Sequence, residues 1–597
     1  MNNTKNNFYD DKIEKIKNLI PEIVQDGKIN VEELQKLVQG YEVEENYNYA
    51  FNWPGKDRAK KGAYIPTTLT LKPNKDKSKN FAETDNLYIE GDNLNVLKIL
   101  RDSYSNKVDL IYIDPPYNTG NEFVYPDDFE APYEEYKKTV GIEDSEGKQL
   151  TTNKDTTGRK HTNWLNMMYP RLLLAKDFLS NEGVIFISVD ENEQTNLKKI
   201  CDEIFGKQNL VAEFIWQKKK GGGNDSVHVA IEHEYILLYA KNISQLPPFF
   251  GEYDESYLKR YKEEDEIGRF YWDTFKRKSG KQYYPITAPD GSVLQYDENG
   301  NEISWLRSEP RFKKDLEEGE IKFVKGNNGW SVHFKQRLPK GKKPRSIITT
   351  KGTTSSGSEE LLEIFNQEIF NNPKPIKLIK YLINMIGKKD AIILDFFAGS
   401  STTAHSTMEL NAEDGGNKKF IMIQIPELLE KDTVAYKAGY KNISEISQER
   451  IRRAGDKIKK DYPDVSNSLD IGFKVFELTS TNFPQWNEEI ELEDINKQLD
   501  MLKEEITDEL ASVYEIMILL KIYQLDEEVL EVIPHLYSVG NENKSLITIV
   551  DNLDQEMYEW INENHKDYYQ VIIYDNALSQ EQKLNLIGNL KEKLFTV

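Results

Sequence analysis

Three uninterrupted apolar runs restrict the fold more than anything else in the chain: Val108–Asp114 (VDLIYID), Gly183–Asp190 (GVIFISVD) and Ala391–Phe397 (AIILDFF). None shows the alternation of a strand with one wet face, so each is expected to be buried on both sides, as in a parallel sheet covered by helices. Helical patterns lie between them. Residues 87–100 (LYIEGDNLNVLKIL) read as strand, turn and helix. Residues 164–179 (WLNMMYPRLLLAKDFL) read as an amphipathic helix closed by Asn181–Gly183, and 191–205 and 372–386 as further helices. Strand and helix alternate, which predicts an α/β fold with a mainly parallel sheet.

The alternation is interrupted, which divides the chain into five regions. Residues 1–84 read as short charged helices, one of them capped by Asn30, followed by an extended Lys-, Pro- and Thr-rich loop over 51–84. Residues 85–213 form the first half of the α/β domain. Over 214–372 regularity dissolves into short strands (EYILLYAKN, IKFVKG, WSVHFKQ) among Gly, Pro and charge, as expected of an inserted module. The α/β pattern resumes over 373–485. Residues 486–597 begin acidic and helical and end in a small separate α/β unit with strands LITIVDN and YQVIIYDN.

Composition narrows the class. One cysteine, Cys201, excludes a disulfide framework and a cysteine metal site. No apolar run approaches the ~20 residues of a membrane span, and the N-terminus lacks a signal-peptide core, so a cytoplasmic protein is expected. The net charge of −23 weighs against a polyanionic partner. However, only the local field at a cleft steers such a partner, and Lys and Arg gather around 216–222, 274–281 and 335–351.

The first chemical motif is Asp114-Pro115-Pro116-Tyr117. Ligands of open parallel sheets bind beyond the carboxyl ends of strands, where Asp114 stands. The prolines fix the backbone and supply no N–H, leaving a rigid tetrapeptide of acceptors, the Asp114 carboxylate and the Pro115 carbonyl, beside the flat face of Tyr117. Two acceptors and a stacking surface suit an amino group on a planar base, whose delocalised lone pair they would free for attack. The bland alternative is a strand-ending turn with Asp114 as a cap.

The second motif opens at Asp395 and continues through Phe396, Phe397, Ala398, Gly399 and Ser400 into a helix. Small residues there let a ligand approach the backbone. The next strand, KFIMIQI, leads to Glu427, a position that accepts ribose hydroxyls in nucleotide-type α/β sites. Neither G-x-G-x-x-G nor a Walker loop is present, which disfavours a nicotinamide cofactor and a P-loop ATPase.

Together these motifs resemble the S-adenosylmethionine-dependent DNA amino-methyltransferases, whose fold is a Rossmann-like sheet. Because the Asp-Pro-Pro-Tyr element precedes the cofactor loop, the permuted order resembles the β class. EGDNLNVLKIL, IDPPYNTGNEFVYPDDF, HEYILLYAKN, FAGSSTTAHS and IGFKVFELTSTNF closely resemble the modification subunit of type III restriction–modification systems, over roughly residues 85–485. The resemblance implies that Asp114, Pro115, Pro116 and Tyr117 hold the target amine. It implies that Phe397, Ala398, Gly399 and Ser400, with Asp395 nearby, wrap the methionine end of S-adenosylmethionine. Glu427 is implied at the ribose, Asp92 and Asn93 on the adenine side, and Lys374 and Pro375 in a further cofactor motif. Many members carry Gly where this chain has Ser400 or Ser401, which leaves the contacting atom open.

The implied activity is adenine-N6 methylation of double-stranded DNA, with cytosine-N4 methylation, or a non-catalytic DNA-recognition subunit for a nuclease, as alternatives. The insertion is the expected target-recognition module, with Lys218, Lys219, Lys220, Lys276, Arg277 and Lys278 as candidate phosphate contacts. A homodimer and a separate restriction subunit are the implied partners. His161, His228 and His233 lack metal-ligand spacing and are read as structural, with no metal expected.

Overall fold

The computed structural model describes residues 51–118, 156–221 and 228–597, except 252, 254, 279, 328, 340, 483–507, 522, 551, 575–576, 591–592 and 597. It also describes a hairpin pairing Val24–Gln25 with Lys28–Ile29. The helix expected after Asn30 and most of the acidic stretch after 486 lie outside the described residues.

The apolar runs form the middle of a ten-stranded sheet. In chain order its strands are β1 (Leu69–Pro73), β2 (Leu87–Glu90), β3 (Val108–Ile113), β4 (Leu179–Val189), β5 (Leu210–Gln217), β6 (His233–Ala240), β7 (Ile347–Ile348), β8 (Ile392–Asp395), β9 (Lys419–Gln424) and β10 (Lys474–Ser480). Their spatial order is β7-β5-β6-β4-β3-β8-β9-β2-β10-β1. From β4 to β10 every neighbouring pair is parallel. The antiparallel pairs lie nearer the two edges, at β5–β6–β4 and at β10–β1.

Five helices bracket the sheet: α1 (Asn93–Tyr104), α2 (Thr156–Phe178), α3 (Ile376–Met385), α4 (Thr402–Asp414) and α5 (Ile443–Asp461). Side chains alternate between two apolar clusters, as the period of a strand demands. Leu87, Ile89, Ile421 and Ile423 join Leu97 of α1 and Leu172 of α2. Tyr88, Phe420 and Met422 join Met408 of α4 and Ile451 of α5.

The order of connections creates the crevice. From β3 the chain crosses through α2 to β4 on one side; from β8 it crosses through α4 to β9 on the other. Strands β3 and β8 are parallel neighbours, with Leu110 opposite Ile393 and Ile111 opposite Leu394. The strand order therefore reverses between them, which is where open α/β sheets bind ligands.

Five expectations need correction. The 51–84 segment contains a helix at Lys56–Gly62 and strand β1. Helix α2 is buried nearly all round rather than amphipathic, because the 51–63 segment covers its outer side: Trp53 Nε1 donates to Asn166 Oδ1 at 2.7 Å. Asn181–Gly183 does not close that helix; β4 already begins at Leu179, with an irregular register opposite Val108 and Leu110. The C-terminal five-stranded sheet is not a separate unit. Its LITIVDN and YQVIIYDN strands do pair, in parallel, but Tyr537, Ile547 and Ile572 share the main core with Val513 and Tyr514. Asp526 also accepts from Tyr104 Oη at 2.9 Å.

The compact inserted unit spans Pro248–Pro344, narrower than the 214–372 expected. Residues 214–247 and 345–372 belong to the larger unit, because β5, β6 and β7 extend the central sheet. The inserted unit has its own four-stranded antiparallel sheet and a small core of Phe275, Ile286, Trp305, Phe312 and Phe334.

Candidate active site

Asp114 follows the last residue of β3 and is half-buried, while Pro115 behind it is buried. The Pro116 carbonyl accepts from Trp164 Nε1 of α2 at 2.6 Å. The exit of the motif is pinned by Asn118, whose φ of 59° is left-handed and whose Nδ2 donates to buried Glu193 at 2.6 Å. A tetrapeptide stiffened by two prolines, held by Trp164 of α2 and followed by an Asn118 held by Glu193, presents Asp114 on a fixed backbone.

The charged group on Asp114 comes from far along the chain. Lys374 Nζ donates to Asp114 Oδ1 and Oδ2 at 2.9 and 2.8 Å and to Tyr117 Oη at 2.8 Å. Tyr117 Oη in turn donates to Asp114 Oδ1 at 2.5 Å. Lys374 is buried and lies 5.1 Å from the Tyr117 ring centroid and 5.8 Å from that of Trp216. A second carboxylate, Glu234 of β6, stands 3.3 Å from Lys374 Nζ and 3.1 Å from Lys218 Nζ. Burial pushes the Glu234 carboxyl up, but Lys374 and Lys218 more than offset it and hold it below its usual range. For Lys374, burial lowers and the two carboxylates raise; the carboxylates win, so the ammonium stays protonated.

The second rim of the crevice is the loop after β8. Asp395 is buried and spends both oxygens inside the loop, accepting from Phe397 N at 3.0 Å and from Thr403 Oγ1 at 2.6 Å. Burial raises its carboxyl to about 7, against the lowering by these two donors and with a further push from Asp114. Gly399 has φ 53° and donates to Gln424 Oε1 at the end of β9 at 2.7 Å. Ser401, at φ 58°, stands where a glycine would be free of strain; its hydroxyl is 2.5 Å from that of Ser447 on α5. Buried Arg450 of the same helix reaches Ser400 Oγ at 2.8 Å and Thr402 Oγ1 at 2.7 Å. The loop is thus clamped by α5, with Phe397 and Ala398 buried in the two apolar clusters that flank the sheet.

The two rims are braced to each other. Asn93 Nδ2 donates to the Phe396 carbonyl at 2.6 Å, and its Oδ1 accepts from buried Arg171 Nε at 2.5 Å. Asp92 caps α1 through Asn95 N and pairs with Arg171 at 2.9 Å. Glu427 is half-buried, and burial pushes its carboxyl up.

The structure thus brings Asp114, Tyr117 and Lys374 together at one rim of the crevice and Asp395 and Phe397 at the other, on the adjacent parallel strand, all expected from sequence. Lys374, expected in a cofactor motif, is paired with the Asp114 carboxylate. Pro375 is the N-cap of α3, where Ile376 N donates to Glu360 Oε2 at 2.8 Å. Among the expected phosphate contacts, Lys218 is engaged by Glu234 and Arg277 by the Thr274 carbonyl at 2.7 Å. Lys219, Lys220, Lys276 and Lys278 are exposed. His161 contacts Glu193 and His233 contacts Tyr235. Glu234, Trp216, Arg171, Gln424 and Arg450 were missed by sequence reasoning. Only Glu234 had a signal, a carboxylate opening the apolar strand EYILLYA.

Comparison with known proteins agrees with this geometry. A family model described as DNA methylase, of the N6/N4 type, matches residues 108–435. The chain is 38% identical over 473 residues to the Mod subunit of the type III restriction–modification enzyme StyLTI of Salmonella typhimurium, covering 76% of this chain and 70% of that one. It is 36% identical over 488 residues to the EcoPI Mod subunit of Escherichia phage P1, covering 75% and 74%. With the EcoP15I Mod subunit of Escherichia coli the identity is 33% over 508 residues, covering 76% and 74%. On the switch-point site, the family match and these relatives, the chain belongs to the N6/N4 DNA methylases, within the family of type III restriction–modification Mod subunits.

Proposed function

We propose that the protein methylates the N6 amine of an adenine turned out of duplex DNA, with S-adenosylmethionine as donor, as the modification and recognition subunit of a type III restriction–modification enzyme. The observation that carries this reading is the shared rim: Asp114 and the Phe397 loop follow adjacent parallel strands at the point where the strand order reverses.

The loop fits the donor. Its backbone is small and fixed at Ala398 and Gly399, and the carboxylates Asp92 and Glu427 flank it at the ends of neighbouring strands, as hydroxyl and amino groups of a nucleoside require. Phe397, Ala398, Gly399 and Ser400 are the proposed methionine-side contacts, Glu427 the ribose contact, and Asp92 and Asn93 the adenine-side contacts. Asp395 shapes the loop. When bound, S-adenosylmethionine supplies an activated methyl group whose bond to sulfur breaks with the electron pair leaving on sulfur.

The work of the chain is on the amine. Asp114 and the Pro115 carbonyl accept its two hydrogens and draw the nitrogen toward tetrahedral geometry, freeing its lone pair. As the N–C bond forms, the surplus proton passes to the Asp114 carboxylate. Tyr117 offers its ring to the base, which leaves the duplex stack to reach the rim. The Pro248–Pro344 unit reads the target sequence, and Lys219, Lys220, Lys276 and Lys278 contact phosphates. A restriction subunit, a second copy of the chain and a cytoplasmic location complete the assignment by family.

Mass spectrometry of nucleosides from an expressing host tests it: N6-methyladenine is expected. N4-methylcytosine alone would move the reading to the other base, and no modified base with bound donor would favour a recognition subunit. The intact Asp114–Lys374–Glu234 network speaks against that last reading, since a decayed site has no reason to keep buried ionised groups paired.

A further inference from the structure

Asp114 already has a donor of its own. It must offer a carboxylate oxygen to the amine, beside the Pro115 carbonyl, yet Lys374 Nζ sits on both Oδ1 and Oδ2, and Tyr117 Oη sits on Oδ1. An ammonium has three N–H donors; two of them here cover both carboxylate oxygens, so whichever oxygen the amine hydrogen needs is taken. A neutral amine cannot displace a buried ammonium from its carboxylate unless the ammonium has another carboxylate to go to, because an unpaired buried charge is prohibitively costly. Glu234 is that carboxylate. Its Oε2 is 3.3 Å from Lys374 Nζ, its side chain is as buried as that of Lys374, and it comes from β6, on the side away from the cofactor loop.

We propose that Lys374 is a resident stand-in for the target amine, holding Asp114 and passing to Glu234 when the base enters. This deepens the methyltransferase reading and rests on it. The charges balance in both positions: Asp114 and Glu234 face Lys374 and Lys218 throughout. In the first position the lysine pairs with the Asp114 carboxylate, stands 3.3 Å from that of Glu234 and covers the acceptor. In the second it leaves Asp114 turned toward the base, able to accept one amine hydrogen beside the Pro115 carbonyl and then the proton that methyl transfer releases. No covalent bond changes in the exchange. Lys374 is therefore a positioning residue, acting through Asp114, and Glu234 is its second seat. The walls of the exchange are fixed: Trp216 Nε1 donates to the Gly352 carbonyl at 3.0 Å, and Tyr117 Oη already bridges toward Glu234 Oε2 at 3.2 Å. The titratable groups that face the lysine are Asp114 and Tyr117 after β3, Glu234 on β6 and Lys218 after β5; Tyr112 and Asp395 feel Asp114 from behind.

A double-mutant cycle on the full-length chain tests this, using duplex DNA that lacks N6-methyladenine and calorimetry with S-adenosylmethionine as an independent readout. Glu234→Gln, which removes the second seat but keeps the lysine, is expected to slow single-turnover methylation about tenfold or more, equivalent to ~1.4 kcal/mol, with donor affinity unchanged. Lys374→Met is expected to lower KM for DNA, to lower kcat, and to give kcat/KM an acid limb at higher pH than in the wild type, since the two carboxylates then share a site without their cation. Combining the two restores the rate to within about threefold of Lys374→Met alone, because without the lysine no seat is needed. Lys374→Gln serves if the methionine variant does not fold. A double variant slower than Lys374→Met by the same factor of about ten that separates Glu234→Gln from the wild type overturns the proposal, as does a Lys374→Met variant whose main defect is weakened donor binding. A wild type that binds donor but methylates no DNA overturns the underlying function instead, and the exchange with it.

Discussion

Asp114 and Asp395 stand at the carboxyl ends of neighbouring parallel strands, yet the protein treats them as opposites. Asp114 is half-buried and engaged through both oxygens by the ammonium of Lys374. Asp395 is only 2% exposed and is satisfied by a backbone amide and a threonine hydroxyl. Its carboxyl is raised to about 7 by burial. One carboxylate holds a cation at contact distance; the other has only neutral donors in a dry pocket, which leaves it near its titration point. The difference separates the carboxylate fit for gripping an amine from the one that ties a loop. Neither the length of the strand nor the aspartate at its end announces which is which.

Substitutions can break this contrast. Removing the charged member has the largest effect: Asp114→Ala is expected to reduce methyl transfer roughly a thousandfold or more, the scale of losing a pre-organised transition-state contact, while calorimetry shows donor binding retained. Loss of both together would mean that Asp114, like Asp395, serves the loop.

Next comes Asp395→Asn, read through pH. The folded value of about 7 lies above the ordinary 3.8, so between these limits the folded chain holds a proton that the unfolded chain has released. The stability tied to that proton is present below about pH 4 and is lost as pH rises through 7. An asparagine cannot titrate. Urea unfolding is therefore expected to show the variant gaining on the wild type between pH 5 and pH 8, by on the order of a few kcal/mol. A pH-independent difference would mean that burial does not raise the Asp395 carboxyl.

Arg171→Leu probes the brace between the two rims. It strips Asp92, Asn93 and the Met167 carbonyl of a buried guanidinium partner, and a loss of ~3 kcal/mol or more in chemical denaturation is expected.

The smallest effect distinguishes lysines by their partners. Lys219→Ala or Lys220→Ala is expected to weaken DNA binding a few-fold and to flatten its salt dependence by about one counterion each. Lys218→Ala, which releases Glu234, is expected to change the rate at saturating DNA more than the salt slope. Equal salt slopes for all three would put Lys218 on phosphate as well.

Much of this was legible before any coordinates. The continuous apolar runs of β3, β4 and β8, and the punctuation that follows them, are local signals: buried strands of a parallel sheet leave no alternation, and prolines or small residues mark where the backbone leaves the sheet. The fold class and both halves of the site followed from such stretches. Helix α2 was misjudged because its outer face is covered by Phe51 and Trp53, more than a hundred residues earlier. The insertion was drawn too wide because β5, β6 and β7 are short or irregular in pattern, although their hydrogen bonds complete the central sheet. The C-terminal sheet read as independent because its strands are local, while the burial that ties it to the main core is not.

By itself the sequence determined the order of the elements, the two strand-end aspartates and the stiff and small segments that follow them, since each depends on residues within a few positions of one another. Only the tertiary structure decided what those aspartates are. Lys374 meets Asp114 across 260 residues and Glu234 faces the same ammonium from β6. The strength of a charge depends on what surrounds it in space, and a one-dimensional pattern carries no such distance.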